Sequence, residues 1–250
     1  MAPISIQLYT LRDECAKDFF GVLKTLADIG FAGVETAGLH GKNPAEVAQV
    51  VSDLGLKVSS AHTSIPSSEN IAELVDTAGT LGYKLLVSGF GPDDFATLDL
   101  TKQSAEKFQA AAEIARANGL EFGIHNHWWE FHTIDGRLVY DVMLETAPDA
   151  FSELDVYWVK TGGEDPAAIV AANKSRLPLL HIKDGPAVRD QPMTAVGSGT
   201  LDIPAIIKAA DPEVLQWLVV ELDACATDMT EAVRQSYTYL TANGLGQGTK

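Results

Sequence analysis

Residues 120 to 131 read Leu-Glu-Phe-Gly-Ile-His-Asn-His-Trp-Trp-Glu-Phe. An apolar run passes directly into two histidines, an asparagine and a glutamate. Alternate residues of a strand share a face, so His125 and His127 are expected to point the same way. Polar groups at the end of a buried strand are costly without partners, and imidazole beside carboxylate suits metal binding and proton transfer. Three later segments end in similar chemistry: Glu153-Leu154-Asp155, Leu179-Leu180-His181-Ile182-Lys183-Asp184 and Val219-Val220-Glu221-Leu222-Asp223. Glu130, Asp155, His181 and Glu221 together make a ligand set of three carboxylates and one imidazole. Such a set suits manganese, magnesium, cobalt or zinc and leaves positions open for substrate oxygens. An ion held there could bind two adjacent sugar oxygens and stabilise an enediolate as charge develops. His125 could replace Glu130 in the set, because Glu130 lies several residues beyond the strand.

The elements that must position these groups alternate along the whole chain. Short apolar runs at Ile4–Tyr9, Gly33–Thr36, Lys57–His62, Lys84–Ser88, Glu121–His127, Phe151–Asp155, Leu177–His181 and Leu215–Glu221 read as strands. Helical spacing or helix signals mark Asp18–Ile29, Pro44–Leu54, Ser68–Leu81, Thr101–Asn118, Leu138–Thr146, Pro166–Asn173, Ile203–Ala210 and Met229–Asn243. Alternation with helical crossovers means parallel strands. The pattern predicts an α/β fold, a single-domain (β/α)8 TIM barrel over residues 1–243, with 244–250 a flexible tail. A doubly wound open sheet would want a Gly-rich phosphate loop after an early strand, and Ile6-Gln7-Leu8-Tyr9-Thr10 offers none.

In such a barrel the chemistry sits at the carboxyl ends of the strands. That rule adds Gln7, Tyr9, Glu35, His62 and Asp223 as substrate-facing candidates, with Lys183 able to donate to a developing oxyanion. Trp129 and Trp158 could cover the apolar face of a sugar ring, and core packing would be equally natural for them. Lys160, Thr161, Gly162 and Gly163 could cradle a phosphate, or form an ordinary loop.

Composition narrows the partners. The net charge of −16 argues against a nucleic-acid backbone and against anionic membranes. Cys15 and Cys225 form no CxxC motif or disulfide framework. No basic segment followed by an apolar run stands at the N-terminus, and no apolar stretch reaches membrane-span length. The expected location is cytoplasmic, and a homo-oligomer is compatible with the sequence.

The chain resembles the xylose isomerase-like barrel superfamily, in the branch of sugar phosphate isomerases/epimerases. The matching stretches are Ile6–Arg12, Gly33-Val34-Glu35, His125–Phe131, Leu154–Trp158, Leu180–Asp184 and Val219–Asp223. The resemblance implies one divalent metal ion, no organic cofactor, a small sugar or polyol substrate, and proton abstraction next to a carbonyl. His125 stands where many relatives place a glutamate, and the branch with the His-Asn-His pattern carries its glutamate later, here Glu130. Ser198 stands where relatives often have glutamate, which reads as a substrate-side turn of altered specificity. The expected activity is isomerisation or epimerisation of a keto-sugar, with His127 or His125 as base. The alternatives are β-elimination by a lyase or dehydratase on a 3-keto-glycoside or inosose-like substrate, and an inactive sugar-binding barrel.

Overall fold

A computed structural model describes residues 1–250. Its strands are β1 (Ile4–Gln7), β2 (Gly33–Ala37), β3 (Lys57–His62), β4 (Leu85–Ser88), β5 (Glu121–His125), β6 (Phe151–Asp155), β7 (Leu179–Ile182) and β8 (Trp217–Val220). All pair in parallel with their sequence neighbours, and β8 closes on β1. The helices are α1 (Arg12–Ile29), α2 (Pro44–Asp53), α3 (Ile71–Leu81), α4 (Leu98–Ala117), α5 (Val139–Thr146), α6 (Val156–Thr161), α7 (Pro166–Asn173), α8 (Ile203–Ala209) and α9 (Met229–Ala242). The expected (β/α)8 barrel is therefore the observed one. No helix is long and apolar enough to cross a membrane.

Helix starts follow local chemistry. The side chains of Asn43, Thr97, Asp165, Asp202 and Asp228 each accept a backbone N–H of the first turn they precede. Several boundaries differ from the periodicity. Strand β1 stops at Gln7 because Leu8–Leu11 tighten into a 3-10 turn. Helix α1 begins at Arg12 and is interrupted at Asp18, whose carboxylate accepts from Gly21 N. Strand β5 ends at His125, and a short hairpin (Thr133–Ile134 with Arg137–Leu138) follows it. Helix α6 has no counterpart in the predicted elements; Asp155 caps it, accepting from Tyr157 N and Trp158 N at 3.0 Å each. Residues 244–250, expected as a loose tail, run back across the amino ends of the strands. Gln247 bonds both Ala2 O and Ile4 N, and Thr249 N donates to Gly30 O.

Outward residues of the strands (Ile4, Ile6, Val34, Leu86, Phe122, Ile124, Leu154, Leu180, Ile182, Leu218, Val220) join the helices in one large core. Inward residues form layers along the barrel axis. Leu85, Val87, Phe151, Leu179 and Val219 pack together at the bottom, against Trp217. With period two, the next inward residues on β6, β7 and β8 are Glu153, His181 and Glu221, followed by Asp155 on β6 and Lys183 just past β7. The apolar floor thus gives way to a buried polar layer at the carboxyl end, where the barrel's chemistry is expected.

Candidate metal and catalytic centre

The polar layer contains five buried groups in mutual contact: Glu35, His125, Glu153, His181 and Glu221. His62, partly exposed, closes one edge. Gln7 Nε2 donates to Glu35 Oε1 at 2.9 Å, and Ser60 Oγ donates to Glu35 Oε2 at 2.5 Å. These bonds fix the Glu35 carboxylate against His181 Nε2 at 3.0 Å and His62 Nε2 at 3.3 Å. Glu153 Oε2 lies 2.7 Å from His62 Nε2, 3.1 Å from His125 Nδ1 and 3.1 Å from His181 Nε2. The other ring nitrogen of His181, Nδ1, lies 2.8 Å from Glu221 Oε2.

Above this layer sits the ammonium of Lys183, itself fully buried. It is 2.9 Å from Asp155 Oδ2, 2.6 Å from Glu221 Oε2 and 2.8 Å from Asp223 Oδ2. Burial opposes its charge, but Asp155, Glu221 and Asp223 outweigh that and hold its pKa well above the ordinary lysine value. Glu221 is held well below the ordinary carboxylate range: burial opposes this, and Lys183 and His181 overcome it. Glu153 is depressed likewise, with His181 and His62 overcoming burial. His181 is raised well above 6.5, because Glu153 and Glu35 outweigh its burial.

Two groups of side chains place their ligand atoms within 4.8 Å of one another: His62, His125, Glu153 and His181, and His125, Asp155, His181 and Glu221. The fold therefore brings together Asp155, His181 and Glu221 as the sequence predicts, with His125 as the fourth member. Glu130 is not among them. Its Oε2 accepts from the backbone N–H of His127 at 2.9 Å, and burial pushes its pKa up to about 8. Its carboxylate is engaged by its own loop. Glu153 is the residue that sequence reasoning passed over. The available signal was its spacing: two residues before Asp155 on the same strand, it must share that face.

A cavity of about 400 Å³ opens over the centre, lined by Gln7, Tyr9, His62, Thr63, His125, His127, Glu221 and Asp223. His127 and His125 do share this wall, with ring centroids 5.0 Å apart. His127 stacks on Trp129 at 4.1 Å and 11°, and its Nδ1 is buried without a protein partner. Burial, then the nearby charge of Lys183, lowers its pKa to about 3, so it is neutral near pH 7. His125 is also lowered, by burial and by His181 and His62. Trp129 and Trp158 do not line the cavity; they stand behind and beside His127, with Trp158 6.2 Å from its ring. Tyr9 lies at the rim under the guanidinium of Arg12.

Two loop readings change. Gly162 and Gly163 follow the carboxyl end of α6 and donate to Trp158 O and Lys160 O, so they present no free N–H cradle, and the helix end there is its negative pole. The Gly197-Ser198-Gly199 turn is tied down by Asp184, whose carboxylate accepts from Gly185 N, Gly197 N, Gly199 N and Leu201 N, and the turn does not line the cavity.

A family model described as xylose isomerase-like TIM barrel matches residues 23–242. The chain belongs to that family. A solved structure of a sugar phosphate isomerase/epimerase from Parabacteroides distasonis is 27% identical with a TM-score of 0.83, covering 98% of this chain and 95% of the other. A probable 3-DHS dehydratase of petrobactin synthesis from Bacillus anthracis superposes with a TM-score of 0.75 at 14% identity, covering 96% and 99%. The IOLI protein, solved with a bound zinc atom, superposes with a TM-score of 0.73 at 15% identity, covering 97% and 98%. No curated protein matches the chain.

The raised carboxyl of Glu130 has a measurable consequence. A group protonated in the native state up to about 8, against an ordinary 4.5, binds more protons folded than unfolded between those values. Stability should therefore fall as pH rises through that window. Glu130→Gln keeps an oxygen for His127 N and carries no charge. Its unfolding free energy, from urea melts at pH 5 and pH 8.5, should exceed that of wild type increasingly toward pH 8.5. The linkage bound on the gain is ~5 kcal/mol, and relaxation of the native state will reduce it. Identical pH slopes for both proteins would refute the buried neutral carboxyl.

Proposed function

We propose that this protein is a divalent-metal-dependent isomerase or epimerase acting on a keto-sugar or related polyol. One observation carries the reading: a neutral, half-buried imidazole, His127, lines a cavity above a histidine–carboxylate centre. The donor set fits a divalent cation, because imidazole and carboxylate atoms converge and the buried Glu153 Oε1 lacks a hydrogen-bond partner. The ion would be held by His125 and His181 with neighbouring carboxylates, and when bound it would polarise a substrate carbonyl.

The chain's own groups do the rest. His127 accepts the proton from the carbon next to the carbonyl. It is neutral near pH 7, so its lone pair is free to accept a proton, although its lowered pKa makes it a weaker base than an ordinary histidine. The charge left behind passes to the carbonyl oxygen; the ammonium of Lys183 is taken up by Asp155, Glu221 and Asp223 below the cavity and offsets part of their negative charge there. Return of the proton to the former carbonyl carbon, with the adjacent hydroxyl proton passing to the former carbonyl oxygen, yields the isomer; protonation of the original carbon by a second acid on the opposite face yields the epimer. Gln7, Tyr9 and Asp223 line the cavity and supply hydroxyl partners. The similarity to a sugar phosphate isomerase/epimerase supports this substrate class, and the probable dehydratase among the structural neighbours keeps β-elimination as the second outcome.

The test is proton exchange. Metal-loaded protein incubated with a panel of keto-sugars and 3-keto-glycosides in heavy water should place deuterium at the carbon next to the carbonyl, read by NMR. An eliminated enone in place of exchanged sugar would make the protein a lyase. No exchange and no enone with any member of the panel would remove the enzymatic reading.

A further inference from the structure

We infer that the divalent ion sits in the lower of the two clusters, on His62, His125, Glu153 and His181, and that Lys183 takes the place of a cation in the upper one. The inference rests on the metal-dependent reading above and goes further by naming the ligands.

The lower cluster has the geometry of a ligand shell. Three imidazole nitrogens aim at one oxygen, Glu153 Oε2, from 2.7, 3.1 and 3.1 Å. A carboxylate oxygen has about two lone pairs and is a poor acceptor for three such donors. Separations of about 3 Å are instead those between neighbouring ligand atoms bound at roughly 2.0–2.2 Å to one ion. Glu153 is fully buried, and its Oε1 has no protein partner.

His181 shows which way the centre lies. Its Nδ1 is taken by Glu221 Oε2 at 2.8 Å, while Nε2 faces Glu153 and His62's partner Glu35. An imidazole that gives its Nδ1–H to a carboxylate presents its Nε2 lone pair to a metal, and such a carboxylate also raises its basicity.

The upper cluster is already satisfied. An ammonium has three donors, and Lys183 meets three carboxylates, on Asp155, Glu221 and Asp223. A dication bound between Asp155 and Glu221 would lie against that buried positive charge, where repulsion is weakly screened. Asp155 has a further task, because its Oδ1 caps α6.

Three nitrogens and a carboxylate suit a transition-metal dication such as zinc, cobalt or manganese better than magnesium, which prefers oxygen ligands. The experiment uses full-length protein stripped with chelator and titrated with Zn²⁺ by calorimetry, with elemental analysis for stoichiometry. Wild type should bind one ion per chain. Glu153→Gln and His62→Ala should weaken binding by at least about 100-fold, and Asp155→Asn, which keeps the cap oxygen, by no more than about 10-fold. X-ray absorption on zinc-loaded wild type should report three imidazoles, where the upper cluster would give two. Circular dichroism checks each fold, and if Glu153→Gln does not fold, His62→Ala at the cavity edge carries the comparison. Loss of binding in Asp155→Asn with retention in Glu153→Gln, or a two-imidazole shell, would overturn the assignment and leave the metal-dependent reading intact. No zinc, cobalt or manganese bound by wild type would overturn both.

Discussion

Replacing Lys183 with methionine should destabilise the protein by about 3–5 kcal/mol, the usual cost of removing one partner from a buried ion pair. The side chain is fully buried and meets Asp155, Glu221 and Asp223 at 2.6 to 2.9 Å. Methionine fills most of the volume and removes the charge, so packing loss is small. What remains is a set of carboxylates facing one another without a cation. Part of the loss should reappear as protonation, so the deficit should shrink as pH is lowered toward 5. Millimolar Mg²⁺ or Mn²⁺ should also restore part of it, because the vacated position between Asp155 and Glu221 becomes a site for a cation. Urea melts of both proteins, with and without the ion, measure all three effects. A Lys183→Met protein as stable as wild type at pH 8 would mean that these carboxylates are reached by water and that the ammonium is not holding the layer together.

Replacing His127 with alanine should lower turnover by about 10²- to 10⁴-fold, the range for loss of a general base. Cation binding and fold should be retained, because His127 belongs to neither ligand cluster. The truncation leaves a space beside Trp129, on which the ring stacks, and imidazole added to the buffer should recover part of the rate there. A positioning role would behave differently: KM would rise with kcat little changed, and imidazole would not rescue. Unchanged deuterium exchange in His127→Ala would remove it as the base and turn attention to His125 on the same wall.

Much of this centre was legible in the linear sequence, for reasons that differ from residue to residue. Asp155, His181 and Glu221 stand at the ends of apolar runs too short to be helices. A charged group there must be inward and paired, so chain position alone marks it. His125 and His127 were placed on one wall by the two-residue period of a strand. Glu130 stands apart from both groups: its residue type fits a ligand, while its position lies in a 3-10 turn beyond β5, which folds the carboxylate back onto His127 N. Spacing along the chain does not report such a reversal. Trp129 and Trp158 were ambiguous between a sugar platform and packing; the turn that carries Trp129 sets it behind His127.

The sequence by itself determined the alternation of strands and helices, hence the parallel barrel, and which end of it holds the polar groups. It did so because periodicity, caps and strand-end chemistry are local properties. Only the tertiary structure decided which polar groups face one another: that Glu153 gathers three imidazoles, that Glu35 backs His181 from 146 residues away, and that Lys183 already neutralises Asp155 and Glu221. These pairings depend on the register of neighbouring strands and the closure of β8 on β1. Register is set by packing across the whole sheet, and no window of sequence contains it.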